Sequence, residues 1–434
     1  MDRAGIIDVV VIGAGHSGLA MSRVLSERGI EHVVLERGEI ANAWRTERWD
    51  SLRLLTPNWL TRLPGSSYSG GDPDGYMTSA ELAEFIANYS KWAAAPVVSH
   101  TTVTRVTAAA PGYRVATSQG DWWCRAVVLA TGACKQPITP RFASEVPARI
   151  QQLHALSYRN PQQLAPGRVL IVGGSATGVQ LAREIQSSGR PVTLAVGEHV
   201  RMPRSYRGRD IQWWLFASGV LDRRIEDEDD PERARRVPSP QLVGSSGLTL
   251  DLNALREQGV EIVGRLMGIR AGKAQLSGAL RNACTLADLK LNRLLHALDQ
   301  WLEGRGGSVG TTVPERFAPT VMDAATRLSL DLREEVRTVL WATGYRPDYS
   351  WLKVPVLNQR GELEHDRGVV AAPGLYVLGL PYLRRRKSSF IHGAEDDARE
   401  LALHLHHFLD GATGSRRGDR DPAAHLGSPL GSAP

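Results

Sequence analysis

Cysteine is scarce in this chain. Cys124, Cys134 and Cys284 are the three among 434 residues, and no Cys-x-x-Cys occurs. That excludes a disulfide framework, a structural zinc site and a redox-active dithiol of the usual spacing. Long hydrophobic runs are missing too: no stretch approaches the roughly 18 apolar residues of a membrane helix. The chain enters a strand within ten residues of Met1, leaving no room for a signal peptide, so cytoplasm is the expected compartment. Lysine occurs at six positions, and arginine carries nearly all the positive charge behind a net charge of +6 and a pI near 9.3. Arginine in that proportion, beside abundant alanine and glycine, reads as coding bias rather than a nucleic-acid surface. The balance favours anionic ligands, a phosphorylated cofactor among them.

What is present starts at Asp8. The apolar run Val9-Val-Val-Ile12 reads as a buried parallel strand and leads straight into Gly13-Ala-Gly15-His-Ser-Gly18. A helical pattern follows through Leu19, Met21, Val24 and Leu25, and a second strand, His32–Leu35, delivers Glu36. An acid about 20 residues beyond such glycines completes a dinucleotide fingerprint. Gly13 makes the tight turn, Gly15 admits a pyrophosphate to the backbone, Gly18 lets the helix close on the strand, and Glu36 accepts from a ribose diol. The helix N-terminus offers free N–H groups and a positive dipole end.

The pattern restarts at Val169–Val172, followed by Gly173-Gly-Ser175-Ala-Thr-Gly178 and a helical Val179-Gln-Leu-Ala182. Serine at the middle position is small enough for close approach. Two such loops, in a chain longer than one core usually holds, imply two nucleotide domains, the usual arrangement for carrying a hydride from a nicotinamide to a flavin. Beyond the strand Pro191–Val196, Glu198 suits a 2′-hydroxyl, but Arg201, Arg204 and Arg207 fall within seven residues. They tilt the second site toward a 2′-phosphate, hence NADPH over NADH, the alternative being a solvated basic loop.

Between these landmarks, residues 37–65 are dense in Trp and Arg (Trp44, Arg45, Arg48, Trp49) and are expected to face a cofactor. Thr78-Ser-Ala-Glu81 is a capping box opening a helix over Leu82–Tyr89. Strands near Thr102–Val106, Tyr113–Thr117 and Trp122–Val128 alternate as a small antiparallel insert, closing on Ala130-Thr131-Gly132. A second Ala342-Thr343-Gly344 ends a later strand. In residues 208–330 the charge run Glu226–Arg236 reads as a solvated face. A helix over Leu286–Leu302 carries an apolar stripe (Leu286, Leu289, Leu294, Leu295, Leu298, Leu302), and an insertion of this size can roof a substrate site. Arg384–Lys387 reads as a phosphate-facing or exposed loop, and a final helix ends at Leu409. The expected organisation is a first unit over 1–165, a second with a helical insertion over 166–350, a return to the first over 351–410, and a disordered tail over 411–434.

The order of these motifs resembles the flavin-containing monooxygenase superfamily, in particular its bacterial, YUCCA-like branch, over residues 7–409. Arg48-Trp-Asp-Ser-Leu-Arg-Leu-Leu-Thr-Pro57 and Ala342-Thr-Gly-Tyr345 are similar to motifs of that family. The family's Gly-Gly-x-Trp segment is matched only by Ala41-Asn-Ala-Trp44, and its Phe-x-Gly-x-x-x-His-x-x-x-Tyr fingerprint only by His154-Ala-Leu-Ser-Tyr158, with Ala148 and Ile150 at the Phe and Gly places. Tyrosine at the last position weighs against ester-forming chemistry. The resemblance implies an α/β fold of two Rossmann-type dinucleotide-binding domains, for FAD and NADPH, with a small antiparallel β insert. It places FAD on Gly13, Gly15, Gly18, Glu36, Trp44, Arg45, Thr131 and Gly132, with His392 and Gly393 at a C-terminal flavin-contacting turn. It places NADPH on Gly173, Ser175, Gly178, Arg201, Arg204, Thr343 and Gly344. Asn58 and His154 are the catalytic candidates, His154 and His392 having a plain structural role as the alternative. The implied reaction is oxygenation of a small organic substrate by O2 (at nitrogen, at sulfur or at a carbonyl) through a C4a-(hydro)peroxyflavin, in a monomer or homodimer without nucleic-acid, membrane or metal partners. An FAD-dependent NAD(P)H oxidase or reductase without oxygen insertion is the alternative.

Overall fold

Val9, Val10 and Val11 have no exposed surface, as expected of a parallel strand covered on both faces. In the computed structural model, which describes residues 5–245, 247–306, 312–322 and 326–417, this strand (Ile7–Ile12) is central to a nine-stranded sheet. It pairs in parallel with His32–Leu35 on one side and Gly120–Leu129 on the other. Leu375–Val377 joins beyond Gly120–Leu129, also in parallel. The antiparallel strands Val103–Ala109 and Gly112–Thr117 extend from it, as the alternation predicts. A second sheet is parallel throughout, in the order Gln151–His154, Thr338–Trp341, Val169–Val172, Val192–Val196, Glu261–Gly264. Helix α1 (His16–Glu27) follows the first strand and α2 (Ala176–Ser187) follows Val169–Val172, giving the same strand–loop–helix unit twice. The Thr78 capping box forms as predicted, and its helix runs over Ser79–Trp92.

Several expectations are corrected. A boundary at residue 165 would give the first unit a strand, Gln151–His154, that belongs to the second sheet. Its Gln151-Gln152 start has no apolar run to announce it. Helix α3 spans Leu280–Glu303 and buries Leu280, Cys284, Ala287, Leu291, Leu295, Leu298 and Leu302 at three-and-four spacing. Leu280 and Cys284 join the core around Val169 and Ile185, and Leu291, Leu295, Leu298 and Leu302 meet Tyr206, Ile211, Trp214 and Leu221. Leu286 and Leu289 point the other way and are exposed. Helix α4 (Ala394–Arg417) carries Glu395, Asp396 and Asp397 in its first turn, where the dipole favours acids. It packs on α1 and continues past the predicted end at Leu409. The remainder of the predicted disordered tail, 418–434, lies outside the described residues. No helix among the described residues is long and apolar enough to cross a membrane.

The phase of α3 is testable. Leu295→Ala removes a fully buried side chain and should cost about 2–5 kcal/mol in urea unfolding, whereas Leu286→Ala should stay within about 0.5 kcal/mol. Equal losses at both positions would contradict the orientation.

Candidate functional site

Neither phosphate loop has room for a side chain at its turn. A Cβ on Gly13 (φ +109°) would stand 2.6 Å from the Ala130 carbonyl oxygen, and one on Gly173 (φ +118°) 2.3 Å from that of Ala342. A Cβ on Gly18 would meet the Gly13 oxygen at 1.9 Å, and one on Gly178 the Gly173 oxygen at 1.8 Å. The N-caps match too: Gly15 sits at φ −82°, ψ −177° and Ser175 at φ −84°, ψ −174°, and neither helix start is capped by a side chain. The space around Gly15 is open. Two helix N-termini therefore present uncapped N–H groups over clear backbone, the arrangement that takes a pyrophosphate.

Each loop rests on an Ala-Thr-Gly turn, and the turns meet. Ala130 N donates to the Ile12 oxygen and Ala342 N to the Val172 oxygen, both at 2.9 Å. Gln136–Pro137, just beyond Gly132, pairs antiparallel with Tyr345–Arg346, just beyond Gly344. The Thr343 hydroxyl donates to the Ile138 carbonyl, so it fastens this crossing. Glu36, buried at the end of its strand, accepts from Ala14 N (2.8 Å) and Gly38 N (3.2 Å). Those bonds fix the carboxylate and leave lone pairs for a diol.

The segment after Glu36 bridges the two halves. Trp44 packs against both main cores, with the Arg48 guanidinium 4.8 Å from its ring centroid. Trp49 and Leu52 are buried in the second core beside Tyr158 and Ile185. Glu184 accepts from Ser51 (2.6 Å) and from Tyr158 (3.1 Å), and burial raises its pKa. Arg45 is exposed and bonds the Ile40 carbonyl. Trp49 and its neighbours are thus an interdomain clasp, where sequence composition suggested a cofactor-facing stretch.

On the other side of the first loop, the C-terminal segment closes over α1: a Cβ on Gly379 would stand 2.5 Å from Ser17 Oγ, and one on Gly393 1.9 Å from the Lys387 carbonyl oxygen. His392 is 3% exposed, and its Nε2 has no hydrogen-bond partner. Burial, then Lys387 and Arg62, push it down to about 3. His16 Nε2 also lacks a partner, and burial pushes this imidazole down to about 4 against a backbone bond to Ser389. Two neutral imidazoles therefore carry buried, unmatched ring nitrogens, His16 at the start of α1 and His392 in the C-terminal segment. Such buried orphans mark a place where a ligand group completes the pairing.

Other candidates take different roles. Asn58 is buried, donates from Nδ2 to the Asp72 carbonyl and accepts from Met77 N at Oδ1, both at 2.9 Å. Both ends of its amide clamp the 58–77 loop, which corrects the expectation of a residue presented to oxygen. His154 ends the strand beside Trp341, with Ser157 Oγ 3.2 Å from its Nδ1; it and Asn58 make no contact. Arg201 and Arg204 are also corrected. Arg201 is 6% exposed and pairs with Asp251 and Asp288, each at 2.7 Å. Arg204, 1% exposed, pairs with Asp210 at 2.6 Å and bonds the Leu55 and Val243 carbonyls. Both guanidiniums are neutralised inside the fold, with Arg204 Nε left without a hydrogen-bond partner. In the Arg384–Lys387 quartet, Arg384, Arg385 and Lys387 are turned inward, onto Glu400, Asp397, Asp222 and Asp396, while Arg386 stays exposed and pairs with Glu228. The quartet ties Asp222 and Glu228 to α4, while the charge run Glu226–Arg236 is otherwise exposed, as the solvated-face reading expected.

Two features escaped sequence reasoning. Lys135, just past the first Ala-Thr-Gly turn, is lowered to about 8 by burial and by Arg37, against the pull of Glu36. Its place three residues after Gly132 was the available signal. A cavity of about 430 Å³ opens between the first half and the insertion, walled by Trp59, Tyr76 and Trp213, with Asp74, Arg209 and Asp210.

Comparison with known proteins adds four likenesses. The pyridine nucleotide-disulphide oxidoreductase family matches residues 10–215. An uncharacterized CzcO-like oxidoreductase of Geobacillus kaustophilus is 32% identical over 399 residues, covering 91% of this chain and 97% of its own. The indole-3-pyruvate monooxygenase YUCCA6 of Arabidopsis thaliana is 31% identical over 424 residues, covering 92% and 89%. Among solved structures, a flavin-containing monooxygenase from Stenotrophomonas maltophilia superposes with a TM-score of 0.65 at 23% identity, over 94% of this chain and all of that one. At that identity the likeness speaks for the fold.

Two outcomes follow from this geometry. Arg201→Met strands two carboxylates inside the fold and should cost about 3–5 kcal/mol in chemical unfolding; undiminished stability would return Arg201 to a ligand-binding role. His16, His365 and His392 stay neutral down to about 4, 4 and 3 because burial opposes their charge, while unfolded imidazoles protonate near pH 6.5. Their stabilising contribution is complete above about pH 6.5 and is lost progressively as pH falls toward 4. His392→Asn should flatten that decline, and NMR should show an untitrated His392 ring from pH 8 to 5; a ring titrating near 6.5 would refute the assignment.

Proposed function

Because the chain belongs to the flavin monooxygenase superfamily, we propose that it is an FAD- and NADPH-dependent monooxygenase acting on a small organic substrate with O2. The observation that carries the reading is the duplicated loop: two helix starts of the same stereochemistry, each on its own Ala-Thr-Gly turn, joined by the strand pair Gln136–Pro137 and Tyr345–Arg346. The clear backbone at Gly15 and the unmatched nitrogens of His16 and His392 fit a bound flavin dinucleotide on the first loop.

FAD held there would supply the acceptor for a hydride from NADPH and the means of activating O2. The chain's residues do the rest. Gly13, Gly15 and Gly18 with the start of α1 hold the flavin's pyrophosphate, and Glu36 its ribose. Gly173, Ser175 and Gly178 with the start of α2 hold that of NADPH. Trp44, Trp49 and the Ser51–Glu184–Tyr158 chain keep the two halves in register, which would hold two bound cofactors in a fixed relation. The insertion, built on α3 and the aromatic core around Trp214, supplies one wall of the open cavity between Trp59, Tyr76 and Trp213. That cavity is the proposed substrate site, for oxygenation at nitrogen or sulfur or at a carbonyl; the name of the Arabidopsis relative adds indole-3-pyruvate to the compounds to try. The commitment of Asn58 to backbone favours the second reading, an NAD(P)H oxidase without oxygen insertion.

The test uses purified protein loaded with FAD. Gly18→Ala should purify colourless, whereas Gly178→Ala should remain yellow, bleach with dithionite and resist anaerobic bleaching by NADPH. With 18O2 and a panel of amines, sulfides and indole-3-pyruvate, one labelled atom in a product supports the monooxygenase. Stoichiometric peroxide with no labelled product supports the oxidase.

A further inference from the structure

With Arg201 and Arg204 buried in internal ion pairs, the second dinucleotide site needs another reader for the adenosine ribose. In a parallel sheet that reader lies where the strand after the loop helix ends, at the carboxyl edge. The strand Val192–Val196 pairs with Glu261–Gly264 so that Val196 lies opposite Gly264. The chain therefore leaves these two strands side by side, at Gly197 and Arg265. The phosphate loop rests on the same spot: a Cβ on Gly174 would stand 2.8 Å from Val196 Cγ1. Arg265 is exposed, and its stem lies along Gly197, whose added Cβ would be 3.4 Å from Arg265 Cδ. No carboxylate among the described residues pairs with it. Glu198 comes next, also exposed, and Lys290 of α3 reaches it, Nζ to Oε1 at 3.0 Å. This corner thus gathers one carboxylate paired with Lys290 and, on the neighbouring strand end, a guanidinium whose planar fork suits a phosphate.

We propose that Arg265 and Lys290 form the 2′-phosphate subsite of this chain, and that Glu198 sets its selectivity between NADPH and NADH. With a free ribose diol, Glu198 accepts from the 2′-hydroxyl. With a 2′-phosphate, Lys290 transfers from Glu198 to the phosphate while Arg265 binds it in the plane of its fork, so the carboxylate opposes the phosphorylated cofactor without excluding it. The proposal rests on the second glycine loop holding a pyridine dinucleotide. It puts NADPH specificity on the strand after next and on a helix of the insertion rather than on the arginine-rich loop that follows the ribose-binding strand.

Calorimetric titration of the FAD-loaded protein with NADP+ and with NAD+ separates the possibilities. Arg265→Ala should weaken NADP+ about tenfold, the worth of one charge-assisted bond, and leave NAD+ within about twofold. Lys290→Ala should act in the same direction. Glu198→Gln should tighten NADP+ and weaken NAD+, reversing the order if the carboxylate is the selector. Both cations are exposed, so the variants should keep the wild-type unfolding midpoint. If wild type binds both nucleotides and Arg265→Ala leaves the NADP+ affinity unmoved, or weakens both nucleotides alike, the subsite is wrong and the loop reading stands. If wild type binds neither, the loop reading fails and the subsite with it.

Discussion

The approach of a helix to a strand with nothing between them but backbone is the constraint on which this protein is built. At Gly18 and again at Gly178, a single methyl group would sit within 2 Å of a carbonyl oxygen one turn back. Only glycine permits the closure, and only the closure brings the uncapped end of the following helix over the strand tips. Everything functional is arranged about those two contacts. Glu36 is anchored by Ala14 N of the first loop and by Gly38 N, the Ala-Thr-Gly turns abut Gly13 and Gly173, and the C-terminal segment returns over α1 through Gly379. Adding a Cβ at such a position displaces the helix that carries the site, a larger disturbance than the loss of any one hydrogen bond.

What the sequence made legible was local. The two glycine loops, the capping box at Thr78 and the three strands of the antiparallel insert are defined by residues at fixed short offsets, and they form where those offsets put them. The misreadings share a cause in distance along the chain. Arg201 finds its partners 50 and 87 residues away, and a loop of three arginines looks free until Asp251 and Asp288 are folded onto it. Gln151–His154 has too little apolar character to read as a strand and is one because Thr338–Trp341 lies beside it. In α3, leucines occur on both faces, so the stripe has two phases in the sequence, and the aromatic core around Trp214 selects one. Asn58 shows the same limit at a single residue: its type and neighbourhood suggest chemistry, and its two backbone bonds reveal a clamp.

The arginine-rich composition acquires a physical meaning here. Arg201, Arg204, Arg384 and Arg385 lie inside the protein, each on one or more carboxylates. A guanidinium is the cation suited to that place, since it keeps its charge when desolvated and satisfies several acceptors at once. Buried pairs of this kind contribute little net stability compared with apolar packing, but breaking one is costly. Their effect is to fix where the insertion sits: Arg384 and Arg385 share Glu400 with Arg224, and Lys387 joins Asp222 to Asp396. That wall of the proposed substrate site is thereby bolted to the helix that packs on α1.

The crossing of Gln136–Pro137 and Tyr345–Arg346 makes one piece of the two Ala-Thr-Gly turns. Each turn is the footing of a phosphate loop, so the loops share a foundation although they lie in different sheets. An occupant that tightens one turn does so against the footing of the other, through main-chain bonds and the Thr343 hydroxyl. Whatever free energy the first ligand gains or loses by that adjustment, the second gains or loses equally, because linkage is reciprocal. The two nucleotide sites are in that sense a single thermodynamic object, and the affinity of either one is defined only when the state of the other is given.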